Sequence, residues 1–180
     1  MPTDTGMELV PLEPGHGERG RTMPTAVFYT AEGKDLHTLP KLYGRAAVAA
    51  YVEGTDGRLM RSMKSVLGSA LMEQHTDIGA GRSVAFGDVI ASYLLHLKRA
   101  AQAHAGREID RVVLGRPVFF VDDDPGRDAA AQASLEAAAH AVGFEEVRFQ
   151  YEPIAAAFHY GEQVAHEQTV IVADIGGGTS

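Results

Sequence analysis

The chain has 180 residues, 45% of them apolar, with a formal net charge of −8 and no cysteine. That is enough apolar material for a sizeable core, as one domain or two small lobes. The missing thiols exclude disulfides, zinc–thiolate sites and thiol catalysis, and the acidic balance argues against a nucleic-acid surface built on clustered Lys and Arg.

No apolar run reaches the roughly 20 residues that cross a bilayer. The opening MPTDTGMELVPLEPG lacks the basic-then-apolar order of a secretory signal, so the cytoplasm is the expected compartment. Residues 1–21 are rich in Pro, Gly and charge and predict an extended arm or edge strand. The run PTAVFYT after Met23 predicts a strand that ends at the turn Glu32-Gly33-Lys34, with residues 36–39 returning as its hairpin partner. Residues 43–53, YGRAAVAAYVE, predict a helix closed by Gly54.

Residues 58–68, RLMRSMKSVLG, predict an amphipathic segment. Its basic face is either simply solvated or presents Lys64 to a phosphate; pattern does not decide between them. Residues 73–82 are polar and contain glycine, which predicts a loop. Residues 86–105 predict a long helix, with Val89, Ile90, Tyr93, Leu94, Leu97 and Ala101 at helical spacing and Gly106 closing it. The histidines form no HExxH or similar ligand pair and are expected at the surface or as satisfied core residues.

From Asp110 to Asp174 the pattern reads β-α-β-α-β, the alternation of an α/β layer. DRVVLG (residues 110–115) predicts a short buried strand ended by Arg116-Pro117, and Asp122, Asp123 and Asp124 predict a solvated loop rather than a calcium site. An Ala-rich helix is expected over residues 127–142, then a strand over 146–150. Next comes Tyr151-Glu152-Pro153 and a helix whose Ala155, Ala156 and Ala157 suit close packing on a sheet. Glu152 reads either as a polar helix start or as a carboxylate placed where α/β folds put catalytic groups. The end, EQTVIVADIGGGTS, reads as a buried β-branched strand, Asp174, and a turn of Gly176, Gly177 and Gly178 with Thr179. Without Cβ atoms such a turn can present its N–H groups to a phosphate, and Asp174 is a hard oxygen ligand suited to Mg²⁺; a glycine-rich hairpin turn is the alternative. Pro117, Glu152 and Asp174 all come directly after strand ends, where ligands of such sheets gather.

Several stretches together resemble the DnaK-like seventy-kilodalton heat-shock chaperones, a divergent bacterial branch, within the actin-like ATPase superfamily. They are GRTMPTAVFY, SMKSVLG, LGRPVFF, AAAHAVGF, FQYEPIAAAFHYG and VADIGGGTS, which cover residues 20–180 in order. The resemblance implies an α/β fold, a partial actin-like (ribonuclease H-like) ATPase lobe with a mixed sheet and helices. Its parts would be an arm over residues 1–21, a strand pair with a helical subdomain over 22–109, and a β-α-β-α-β portion over 110–180.

By the same resemblance, Lys64 positions the attacking water and γ-phosphate, while Glu152 and Asp174 serve Mg²⁺ and that water. Gly176, Gly177, Gly178 and Thr179 form the second phosphate loop for ATP or ADP. Pro117 and Arg127 relay nucleotide state to a substrate-binding part, although the spacing between them is longer than the family's. Client proteins and co-chaperones are the implied partners. The first phosphate hairpin and the second lobe have no counterpart here, so an ATPase parent and a fragment with little hydrolysis of its own are expected, with self-association through exposed edges. The alternatives are a fragment of a bacterial actin-like filament protein and a non-catalytic binding remnant.

Overall fold

The computed structural model describes residues 1–3, 6–31, 40–79, 81–161, 166, 169 and 171. The expected hairpin partner over 36–39, and the segment with Asp174, Gly176, Gly177, Gly178 and Thr179, lie outside them. The described residues form a mixed α/β fold of four small sheets and four α-helices.

The first residues pair as a two-stranded ribbon, β1 (Pro2–Thr3) with β2 (Gly6–Met7), and a 3₁₀ turn spans Gly17–Arg21. The expected arm is therefore partly folded. β3 (Ala26–Thr30) is the central strand of a three-stranded antiparallel sheet, flanked by β4 (Lys41–Tyr43) and β5 (Gly57–Arg61). Successive side chains of a strand point to opposite faces. Ala26 and Phe28 pack with Ala47 and Ala50 of α1 (Gly44–Val52). Val27 and Tyr29 enter the larger core with Met60, Met63, Leu67, Ile78, Val89 and Leu94. Complete burial of Val27 and Phe28 stabilises the fold by about 2 kcal/mol each.

The start of α1 has no cap from its own Tyr43. Glu13, in the N-terminal arm, caps it from a distance and so fastens the arm to the helix. Its Oε1 accepts from the Arg45 backbone N–H at 2.6 Å, and its other oxygen pairs with the Arg45 guanidinium. A Cβ at Gly44 (φ 62°) would collide with Glu13 and Met23, so only glycine allows this docking.

Residues 58–68 are not one amphipathic segment. β5 ends at Arg61, Ser62 takes a left-handed conformation (φ 54°), and a 3₁₀ turn then spans Met63–Val66. The expected loop over 73–82 is likewise replaced by a hairpin, β6 (His75–Gly79) with β7 (Arg82–Ala85). Ile78 and Val84 bury its inner face, and Asp77 stabilises the turn by accepting from the Gly79 N–H at 2.8 Å. α2 (Phe86–Ala105) buries Val89, Ile90 and Leu94, and Gly106 closes it at φ 64°.

Strand and helix then alternate along the chain: β8 (Arg111–Arg116), α3 (Pro125–Ala141), β9 (Glu146–Tyr151) and α4 (Glu152–Gly161). β8 and β9 are parallel and in register from Arg111↔Glu146 to Arg116↔Tyr151. Asp124 caps α3 by accepting from the Arg127 N–H at 3.0 Å, with Pro125 in the first turn. Ala131, Ala138 and Ala139 bury the inner stripe of α3, and Lys98 of α2 donates to the carbonyls of Val142 and Gly143 at its far end.

Two expectations are corrected here. β8 is buried on one face only: Val112 and Leu114 pack against the core, while Val113 is 63% exposed. Of the three alanines expected to pack α4 on a sheet, Ala155 and Ala156 are exposed, as are Ile154 and Phe158, and only Ala157 is half-buried. Among the described residues only one side of the β8–β9 pair is covered by a helix core, so the other face and α4 keep apolar surface outside.

Candidate functional site

Two parallel strand ends and one tight turn converge on a single polar spot. In the turn Met63–Val66, Met63 and Leu67 point inward and are 6% and 4% exposed, which turns the intervening Lys64 outward. Gly68 (φ 67°) ends this segment on α3: a Cβ there would stand 2.5 Å from the Arg127 carbonyl oxygen and 2.8 Å from Ala131 Cβ. From the other side, β9 ends at Tyr151 and Glu152 opens α4.

Lys64 Nζ donates to Glu152 Oε1 in a direct ion pair. The pair is partly open to water, with side-chain exposures of 47% and 30%. Gly115, near the end of β8, leaves the space that the Glu152 side chain fills; a Cβ there would lie 3.3 Å from Glu152 Cγ. An ammonium beside a carboxylate suits a phosphate and a metal-bound water, because Mg²⁺ in nucleotide sites uses one or two carboxylates together with phosphate oxygens. The residues present fit that group: Lys64 would face phosphate charge and Glu152 would hold the ion or its water.

The other sequence candidates fall into three groups. Pro117 is buried directly after β8, at the same edge as Glu152. Arg127 is exposed in the first turn of α3, and its backbone rather than its side chain has the defined role. Asp174, Gly176, Gly177, Gly178 and Thr179 are outside the described residues.

The family model described as Hsp70 protein matches residues 38–180. The chain belongs to the Hsp70 family. It is 31% identical over 180 residues to the "Chaperone protein DnaK" of Thermosipho melanesiensis, covering 99% of this chain and 26% of that protein. The DnaK proteins of Thermosipho africanus and Thermotoga neapolitana match with the same identity and coverage. The chain thus spans about a quarter of the length of the curated relatives it matches.

In this Hsp70 chain the most constrained charge at the site, among the described residues, is one that the sequence did not single out. Arg116, between Gly115 and Pro117, is a buried arginine. Its Nη2 donates to both oxygens of Asp128 at 3.0 and 2.8 Å, and the guanidinium holds the Asp128 carboxyl below its usual range. Asp128 also accepts from the Phe120 backbone N–H at 2.6 Å. The only signal in the sequence was an arginine ending an apolar strand with an aspartate in the next helix, a pairing that spacing alone does not reveal. Three of the eight histidines have defined partners among the described residues: His96 stacks on Tyr43 at 4.1 Å, His104 lies 3.1 Å from Glu8, and His140 bonds the Phe144 carbonyl.

Proposed function

We propose that this chain is part of the ATP-binding domain of an Hsp70-type chaperone, a partial lobe of the actin-like ATPase fold. The observation that carries the reading is the meeting of Lys64 with Glu152 at a strand end in a chain of this family. In the proposed site Lys64 orients the γ-phosphate and the attacking water, and Glu152 and Asp174 serve Mg²⁺. Gly176, Gly177, Gly178 and Thr179 form the phosphate loop, and Mg²⁺ supplies charge neutralisation on the phosphates when bound. Pro117, buried beside Glu152, is suited to the interdomain relay; the exposed side chain of Arg127 gives that residue weaker support. Family membership favours this reading over the actin-like filament alternative.

Phosphoryl transfer depends on several parts held together. One lysine, two carboxylates and one phosphate loop make a half-site, so this chain alone is proposed to bind nucleotide weakly and hydrolyse it little. The whole protein would act on client proteins with co-chaperones, in the cytoplasm. The exposed apolar residues Val113, Ile154 and Phe158 make self-association of the isolated chain a further expectation.

Isothermal titration of the chain with Mg²⁺-ATP tests the reading, with Lys64→Ala and Asp174→Asn alongside. Binding heat that is lost in both variants supports a preformed half-site. Binding that is unchanged in both variants overturns the assignment of these residues.

A further inference from the structure

We propose that Arg116 is a positioning residue that sets where Glu152 meets Lys64. The purpose of that contact rests on the phosphate-site reading; its geometry does not. Every nitrogen of the Arg116 guanidinium donates. Nε donates to the Pro117 carbonyl at 3.1 Å, Nη1 to Gln132 Oε1, and Nη2 to the Val118 carbonyl at 3.2 Å as well as to Asp128. The flat cation lies 5.0 Å from the centre of the Phe120 ring and 5.3 Å from that of Tyr151.

These contacts join the two supports of the site. Tyr151 is the register partner of Arg116 in the β8–β9 pair, and the next residue is Glu152. Asp128 and Gln132 belong to the stretch of α3 whose Arg127 carbonyl and Ala131 seat Gly68, the end of the Lys64 turn. Arg116 therefore clamps the helix turn beneath Lys64 to the strand end that carries Glu152. A lysine at this position would keep the charge but lose both the bidentate fork and the flat stacking surface. The side chain is 9% exposed, so no solvent-facing role competes with this one.

A water-soluble carbodiimide activates a carboxylate as an O-acylisourea; an amine in contact with it then forms the amide, and the C–O bond breaks to release the carbodiimide as its urea. Treating the chain with this reagent and quantifying the Lys64–Glu152 cross-linked peptides by mass spectrometry reads the contact directly, with Glu152→Gln as the blank. In Arg116→Lys and in Asp128→Asn the cross-link is expected to fall about tenfold while cooperative melting persists, because a shift of about 1 Å breaks a reactive geometry. Added guanidinium ion, at millimolar concentration, is expected to restore part of the yield in Arg116→Ala. A full yield in folded Arg116→Lys overturns the proposal. So does loss of cooperative melting in both Arg116→Lys and Asp128→Asn, which would assign the pair to holding the fold. Mg²⁺-ATP titration of the same variants separates the two readings. Cross-link loss with unchanged nucleotide heat would sink the phosphate-site reading and leave the positioning role standing.

Discussion

Lys64 and Glu152 stand 88 positions apart in the chain, and the amine of one donates to the carboxylate of the other. Both side chains are partly in water, where such pairs contribute only about 0.2–1 kcal/mol to stability. Stability alone gives little reason for the contact. If the pair serves phosphoryl transfer, Lys64→Ala and Glu152→Gln should each move the urea midpoint very little. ATP turnover by a full-length protein carrying either change should fall by about 100-fold or more. Turnover near the unsubstituted rate with an altered midpoint would reverse this assignment.

Asp128 gives the fold an acid-sensitive component. Its hydrogen bonds from Arg116, and then from the Phe120 backbone, lower its folded pKa below the ordinary value of 3.8. A depressed carboxylate contributes stability that is fully present above the unfolded value and disappears as pH falls through the folded one. Asp128→Asn is therefore expected to cost about 2 kcal/mol near neutrality and to flatten the loss of stability below about pH 4. Urea melts at several pH values give both numbers.

Tyr29 acts at the opposite end of the scale. Its buried hydroxyl makes no hydrogen bond of normal geometry among the described residues; Ser92 lies close enough to offset a little of the effect of burial, but its hydroxyl is engaged by Tyr43 at 2.7 Å. Burial pushes the Tyr29 hydroxyl up to about 12 from 10.0. A raised acid keeps its contribution below the unfolded value and loses it as pH rises through the folded one. Tyr29→Phe removes an unsatisfied group, so it should be neutral or stabilising by about 1 kcal/mol near neutrality. It should also blunt the alkaline loss between pH 10 and 12, measured by thermal melts.

Two glycines separate backbone strain from collision. Gly68 and Gly106 have nearly the same φ, 67° and 64°, but a Cβ meets the Arg127 carbonyl at the first and open space at the second. Gly106→Ala should cost about 1 kcal/mol and Gly68→Ala about 2–3 kcal/mol. Equal midpoints in denaturant for the two variants would contradict the seating of the Lys64 turn on α3.

The N-terminal arm can be probed through its cap on α1. Glu13→Gln leaves a side chain of the same shape but removes the charge facing Arg45 and the start of the helix. About 1 kcal/mol should be lost, seen first as faster amide exchange in the opening turn of α1. Unaltered exchange there would mean that Gly44 and Met23 alone seat the helix.

Helices with strong periodicity were legible from sequence. α2 begins and ends where Phe86, Ala105 and Gly106 predicted, and α3 and β9 differ from expectation only at their ends. The β6–β7 hairpin was hidden because only Ile78 and Val84 face inward, between polar residues and two glycines. The split at Ser62 was hidden for another reason: Leu59, Met60, Met63, Val66 and Leu67 satisfy a helical stripe, yet a left-handed serine breaks the segment in two. At the site, Lys64, Glu152 and Pro117 could be nominated one by one. Their proximity depends on how α3 and the strand ends dock, which no local spacing encodes. Arg116 escaped notice because its partner, Asp128, becomes adjacent only once the β8–α3 loop has folded back.

β3 presents Ala26 and Phe28 to one apolar cluster and Val27 and Tyr29 to another. It works as a partition wall with a furnished room on either side. Slackening one room loosens the wall for the other, so the α1 side and the α2–α3 side should melt in a single step. A shortened chain that keeps just one room would leave an oily wall facing water and would aggregate before it unfolded cleanly.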